Sequence, residues 1–330
     1  MVGAAVALLV AFFVGGAVVR IGPRLGFVDL PDGFLKPHVG AAVPLGGIAL
    51  FAAVHGGLVT AGRFDPGLLA ASGILLLLGL VDDRRNLSPR LRLAVTVLAG
   101  MVLGLTADLP AATAGARAVV ASVVLVVITV NAVNLFDGLD GLAGSVALVT
   151  AGGIAVLASV RGAEIVTGLV LASGIAGFLV WNWPPARLFL GDNGAYTLAV
   201  FLVYGFFRAS PAAGEVPTMV AACLLGVFAI DLVVTLLRRK LAGRPLFVGD
   251  RSHIYDQLRD RGWSVPTVSM TMAGAQAVIV AVVVILDQTF PPKTALAASL
   301  AVAVVIIIGL GIAGFLRPDP DPRGHRSAGE

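Results

Sequence analysis

Apolar runs of roughly 20 residues, free of charge and of strict alternation, constrain this chain more than any other feature of its sequence. Residues 2–19 and 294–316 contain no charged side chain at all. A helix rises about 1.5 Å per residue, so such runs match the roughly 30 Å of bilayer hydrocarbon. Strands of a membrane barrel would instead change character at every second residue. With 58% hydrophobic and 13% charged residues and a mean hydropathy of +0.97, an ordinary soluble domain is excluded. The sequence predicts an all-α, polytopic integral membrane helical bundle of about eleven transmembrane helices. They fall near 2–19, 41–61, 67–81, 91–107, 118–134, 142–160, 165–181, 195–207, 217–237, 267–286 and 294–316. Residues 1–316 read as a single transmembrane catalytic domain, and 317–330, rich in proline and charge, as a disordered cytoplasmic tail. No basic residue precedes the first run and AVVR is a poor cleavage site, so a retained helix is expected there.

Alternation of loops then sorts the charges. Eighteen of the 23 Lys and Arg fall on the face that bears the first loop. The bias of bases toward the cytoplasm places that face inside, the amino terminus outside and the carboxyl terminus inside. The basic pI of about 9.7 is thereby a matter of topology, and no nucleic-acid partner is expected. Cys223 stands alone in an apolar run, which leaves neither a disulfide framework nor a cysteine metal site.

Against this background, Asn131 to Leu142 (NAVNLFDGLDGL) is anomalous. Asn131, Asn134, Asp137 and Asp140 recur at every third residue, which on a continuing helix keeps successive members on adjoining parts of one face. An acid at a membrane-helix centre costs roughly 2.5–3.5 kcal/mol on insertion scales, so four polar groups in register favour an oxygen-rich ion or phosphate site over a simple polar cap. The other unusual clusters share the same face. The first loop carries Asp29, Asp32, Lys36 and His38, the second Asp82 and Asp83, the fourth Asp192 and Asn193, and the fifth Asp250, Arg251 and His253. Asp231 lies inside a span. Carboxylate and amide oxygens suit Mg²⁺, which shares its coordination with water and phosphate. Lys, Arg and His suit a phosphate leaving group. Adjacent acids repel, so Asp82 or Asp83 could serve as a base, or the pair could simply balance Arg84 and Arg85. His55, among alanines and glycines, reads as a packed polar residue, Trp181 and Trp183 as interfacial anchors, and most bases between Arg238 and Arg261 as topological.

Taken together, the segments VDLPD…KPH…PLGG, DDRRNLSPRLRL, NAVNLFDGLDGLAG, LFLGDNGA, and Asp231 followed by DRSHI resemble the polyprenyl-phosphate N-acetylhexosamine-1-phosphate transferases, the MraY and WecA group, nearer its WecA and TagO branch. The resemblance runs from about Asp29 to Trp263. It implies transfer of a sugar 1-phosphate, most readily N-acetylglucosamine 1-phosphate, from a UDP-sugar to a polyprenyl phosphate at the cytoplasmic face of the cell membrane, with release of UMP. It implies Mg²⁺, with Mn²⁺ as a substitute, and leaves room for a homodimer. By the same resemblance Asp192 and Asn134 are metal or diphosphate ligands, and Asp82 and Asp83 activate or position the lipid phosphate. Asn131, Asp137 and Asp140 shape the nucleotide site, and Lys36, His38, Arg251 and His253 contact phosphates or sugar. Relatives usually carry HIHH where this chain reads His253-Ile254-Tyr255-Asp256, and a serine where it has Ala195. From a different class, a secondary transporter would hold its acids near the bilayer midplane within broken helices, whereas these lie at helix ends.

Overall fold

A computed structural model describes residues 1–29, 42–109, 115–210, 215–243 and 252–316. Thirteen α-helices are present among them: α1 Val2–Ile21, α2 Gly46–Thr60, α3 Pro66–Arg85, α4 Pro89–Thr106, α5 Ala116–Phe136, α6 Leu142–Val160, α7 Val166–Asn182, α8 Gly191–Arg208, α9 Glu215–Ala222, α10 Gly226–Leu241, α11 Ile254–Asp260, α12 Val265–Thr289 and α13 Pro292–Ile312. The described residues hold no strand beyond two isolated bridges, Asp29 to Ala42 and Val43 to Leu188. Among the described residues, eight helical segments are long and apolar enough to cross a membrane, and α2 and α7 are shorter apolar helices. Each of the eleven expected stretches is helical, the ninth over two helices, while α8 is in neither group. The expected tail, 317–330, lies outside the described residues.

Starts are written locally. Asp65, ahead of Pro66, accepts from the N–H groups of Gly67 and Leu68, and Ser88 and Ser264 cap α4 and α12 in the same manner. The second span begins later than expected. Val43 bonds to residues 187–189 through the Arg187 carbonyl and the Phe189 N–H, so α2 starts only at Gly46.

Helix α8 is the centre of the bundle, buried from Asn193 to Phe207 and packed by α3, α5 and α2. On the outside, α13 exposes Val304, Val305, Ile308 and Ile312, a face that lipid rather than water would cover. Trp181, expected at an interface, instead packs inward. Its indole Nε1 donates to the Phe12 carbonyl, and its ring lies against Gly15 and Gly16 of α1.

The ninth span, read as continuous over 217–237, is broken. Helix α9 passes through a 3₁₀ turn at Cys223–Leu225, and α10 resumes at Gly226 with φ +40°. Inside hydrocarbon the freed backbone groups need partners. Gln276 of α12, fully buried, supplies them: it accepts from Val227 N–H, and its amide donates to the Leu224 carbonyl and to Thr150.

Candidate active site

Two adjacent acids end α3 and face different ways. Asp82 is buried, 2% exposed. Its carboxylate accepts from Tyr196 Oη at 2.7 Å and from the Leu87 N–H at 2.8 Å, and Arg92 Nε lies 3.3 Å away. It thus ties α3 to α8 and to the start of α4. Asp83 turns toward the first turn of α8, accepting from the N–H groups of Asp192 at 2.9 Å and Asn193 at 3.2 Å and from the Asn193 side-chain amide at 2.6 Å. A carboxylate on those orphan N–H groups satisfies them and complements the positive end of the helix.

Asn193 completes the junction. Its Oδ1 accepts from Gly47 N–H and its Nδ2 also donates to the Pro44 carbonyl, so one buried amide binds α2, α3 and α8 together. Such approach needs glycine on both sides. A Cβ on Gly79 would lie 2.2 Å from the Asn193 Cα, and one on Gly47 2.4 Å from its Oδ1.

Held this way, Asp192 meets Asn134 of α5, whose Nδ2 donates to the Asp192 Oδ1 at 2.5 Å. Helix α5 stops at Phe136, so the expected single helical face through Asp140 does not form. Instead the chain turns through Gly138 and Gly141, and α6 begins at Leu142. The turn itself carries Asp137 and Asp140 to the place occupied by Asn134. Asp140 is pinned by the Ala186 N–H at 2.9 Å, and Asn182 braces the same connection by accepting from Gly141 N–H while donating to the Leu188 carbonyl.

These groups line one cavity of about 710 Å³, with Asp29, Asp83, Asn134, Asp137, Asp140 and Asp192 among its walls. Asp137, in the α5–α6 connection, has its carboxyl pushed up to about 8, first by loss of hydration and then by the charges of Asp192, Asp83 and Asp140. The apolar part of the wall includes Pro184, Pro185, Phe189 and Pro266, and Arg259 adds a cation. Among the described residues no three His, Cys, Asp or Glu side chains form a ready-made metal cage.

Of the residues singled out from sequence, Asp29, Asp83, Asn134, Asp137, Asp140 and Asp192 are brought together at this cavity. Asp82 stands behind the wall as an anchor. Asn131 is exposed, its amide returned to the Val127 carbonyl of its own helix, one turn away from the cavity. His253 is buried beside α10, with Nδ1 2.7 Å from Asp231 and 3.2 Å from the Thr235 hydroxyl. It is absent from the cavity lining. Lys36, His38 and Arg251 lie outside the described residues. His55 is a packed residue, bonded to Ser72 at 2.9 Å between the rings of Phe51 and Phe201. Sequence reasoning passed over Asn182 and Arg259. The first sits inside an apolar run and the second among bases already explained by topology.

Comparison with known proteins is consistent with this geometry. The profile of glycosyl transferase family 4 matches residues 66–210, the stretch from the start of α3 to the end of α8. The undecaprenyl-phosphate alpha-N-acetylglucosaminyl 1-phosphate transferase of Thermotoga maritima is 32% identical over 247 residues, covering 75% of this chain and 78% of that protein. The decaprenyl-phosphate N-acetylglucosaminephosphotransferase of Mycobacterium tuberculosis is 27% identical over 307 residues, 78% of this chain and 75% of that protein. A glycosyltransferase relative from Streptomyces coelicolor is 32% identical over 269 residues, and there the match spans 78% of this chain but only 64% of the relative's length.

Proposed function

Because the chain belongs to glycosyl transferase family 4, we propose that it transfers N-acetylglucosamine 1-phosphate from a UDP-sugar to a membrane polyprenyl phosphate, releasing UMP. The observation that carries this reading is the convergence of five carboxylates, delivered by four separate connections of the chain, on one cavity at one end of the bundle. Alternation of the expected spans assigns 18 of the 23 bases to the loops on the same side as these acids, which supports a cytoplasmic site on a lipid whose phosphate lies at the inner leaflet.

The donor set suits Mg²⁺. Loss of hydration, and after it the charges of Asp192, Asp83 and Asp140, disfavours ionisation of Asp137, and a bound cation would offset both. Asp192 and Asn134 would hold it, with Asp137 and Asp83 alongside. When bound, the ion supplies charge neutralisation for the diphosphate.

The remaining work belongs to the protein. In the step itself, an oxygen of the lipid phosphate bonds to the β-phosphorus of the UDP-sugar while the bond from that phosphorus to the UMP oxygen breaks, UMP leaving with the electron pair. A phosphate monoester is largely ionised at neutral pH, so no side chain need remove a proton. Asp83 holds the first turn of α8 and thereby Asp192, Asp82 holds α3 against α8, and Asp140 with Asn182 fixes the floor formed by 183–190. Purified protein given polyprenyl phosphate, Mg²⁺ and a panel of UDP-sugars should release UMP most rapidly with UDP-N-acetylglucosamine. Release from none of the sugars would contradict the reading.

A further inference from the structure

The cavity wall is acidic apart from one place. Among the described residues, Arg259 is the cation that lines it, in a set that includes Asp83, Asp137, Asp140 and Asp192. Its direction is fixed by packing. Tyr255, four residues earlier and so on the same side of α11, sits on Gly138 so tightly that a Cβ there would lie 2.2 Å from the phenol oxygen. Its hydroxyl donates to the Leu135 carbonyl at 3.1 Å, and its ring meets Phe136 edge-on with centroids 5.6 Å apart. At the base of the helix, Asp231 accepts from the Ile254 N–H at 2.9 Å and holds His253. The carboxyl end is tied by Arg259 Nη1, which donates to the Trp263 carbonyl. That bond engages one terminal nitrogen of a group with five N–H donors in a planar fork.

We propose that Arg259 is a substrate-binding residue that grips the phosphate of the nucleotide, the UMP portion of the donor, in the cavity that the acids line. An anionic ligand entering a pocket lined by carboxylates meets repulsion, and a guanidinium in the same lining both attracts it and fixes its orientation. The apolar residues Pro184, Pro185, Val265 and Pro266 in the same lining give the uncharged part of the nucleotide a surface to pack on. This assignment rests on the transferase reading above.

Calorimetric titration with UMP and with uridine separates the two ideas. Wild-type protein should bind UMP in the presence of Mg²⁺. Arg259→Gln should weaken UMP binding roughly 10- to 100-fold, the range for a lost charge-assisted hydrogen bond, while leaving uridine binding within about twofold. Arg259→Lys should recover part of the loss, and its unaltered thermal unfolding would show that the fold of α11 persists. In turnover, KM for the UDP-sugar should rise more than KM for the lipid phosphate. Equal UMP affinity in wild type and Arg259→Gln, or a parallel loss of uridine binding, overturns the assignment with the transferase reading intact. Wild-type protein that binds no UMP and releases none overturns both.

Discussion

Asp82 and Asp83 are neighbours in sequence with separate duties, and substitution should separate them. Asp82→Asn removes the charge opposite Arg92 and weakens the acceptor for Tyr196 and Leu87, so activity and thermal stability should fall together, by about 1–3 kcal/mol in unfolding. Asp192→Asn, at the cavity wall, should lower turnover at least about 100-fold with the unfolding temperature nearly unchanged. Full activity in Asp192→Asn would remove that residue from the site. Asp137 predicts a pH dependence. Its carboxyl is raised from 3.8 to about 8, so between those values the folded metal-free protein retains a proton that the unfolded chain releases, and stability falls as pH rises through that window. A divalent cation must displace the same proton. Mg²⁺ affinity should therefore climb with pH and level off above about 8, with proton release at pH 7 detectable in buffers of different ionisation enthalpy. Asp137→Asn should flatten the profile. A flat wild-type profile would count against metal binding beside Asp137. At this scale the sequence was legible where polarity conflicted with its apolar surroundings, as at Asn134 and Asp137. It misled at Asn131, whose register holds only if the helix continues, and the turn after Phe136 ends it.

Among the elements, the junction of α2, α3 and α8 positions Asp192, and it tolerates no added volume. Gly79→Ala would drive a methyl into the Asn193 backbone, and overpacking of this kind costs about 1–3 kcal/mol. Loss of turnover should exceed what the fall in stability explains, because the α8 terminus itself is displaced; comparing specific activity with melting temperature in detergent checks this. Gln276→Leu is the contrasting case. It leaves Val227 N–H and the Leu224 carbonyl without their present partners, so the melting temperature should drop while KM for the UDP-sugar stays constant. Helix positions were readable from hydropathy, since ten of the eleven expected spans each coincide with one helix. The break at Gly226 was not, because α9 and α10 form one apolar run and its repair comes from a glutamine about 50 positions away. The α11 segment was equally opaque. Whether His253 or Arg259 reaches the cavity depends on how Tyr255 seats on Gly138, a contact between residues more than 100 apart.

For the whole molecule, alternation of loops predicts that the acidic clusters share one side of the membrane, and among the described residues Asp29, Asp83, Asp137, Asp140 and Asp192 line one cavity at the ends of α3, α5, α7, α8 and α11. Acids gathered at one end of a bundle, rather than midway along broken helices, suit chemistry at a leaflet surface better than passage across it. Side-specific labelling with a membrane-impermeant maleimide tests this most directly. In a Cys223→Ala background, single cysteines replacing Arg85, Leu139 and Arg187 should all react from the cytoplasmic side alone, and one replacing Arg63 only from the opposite side. Reaction of any of the first three from the side opposite to the other two would contradict a shared pocket, and with it the transferase reading built on that pocket.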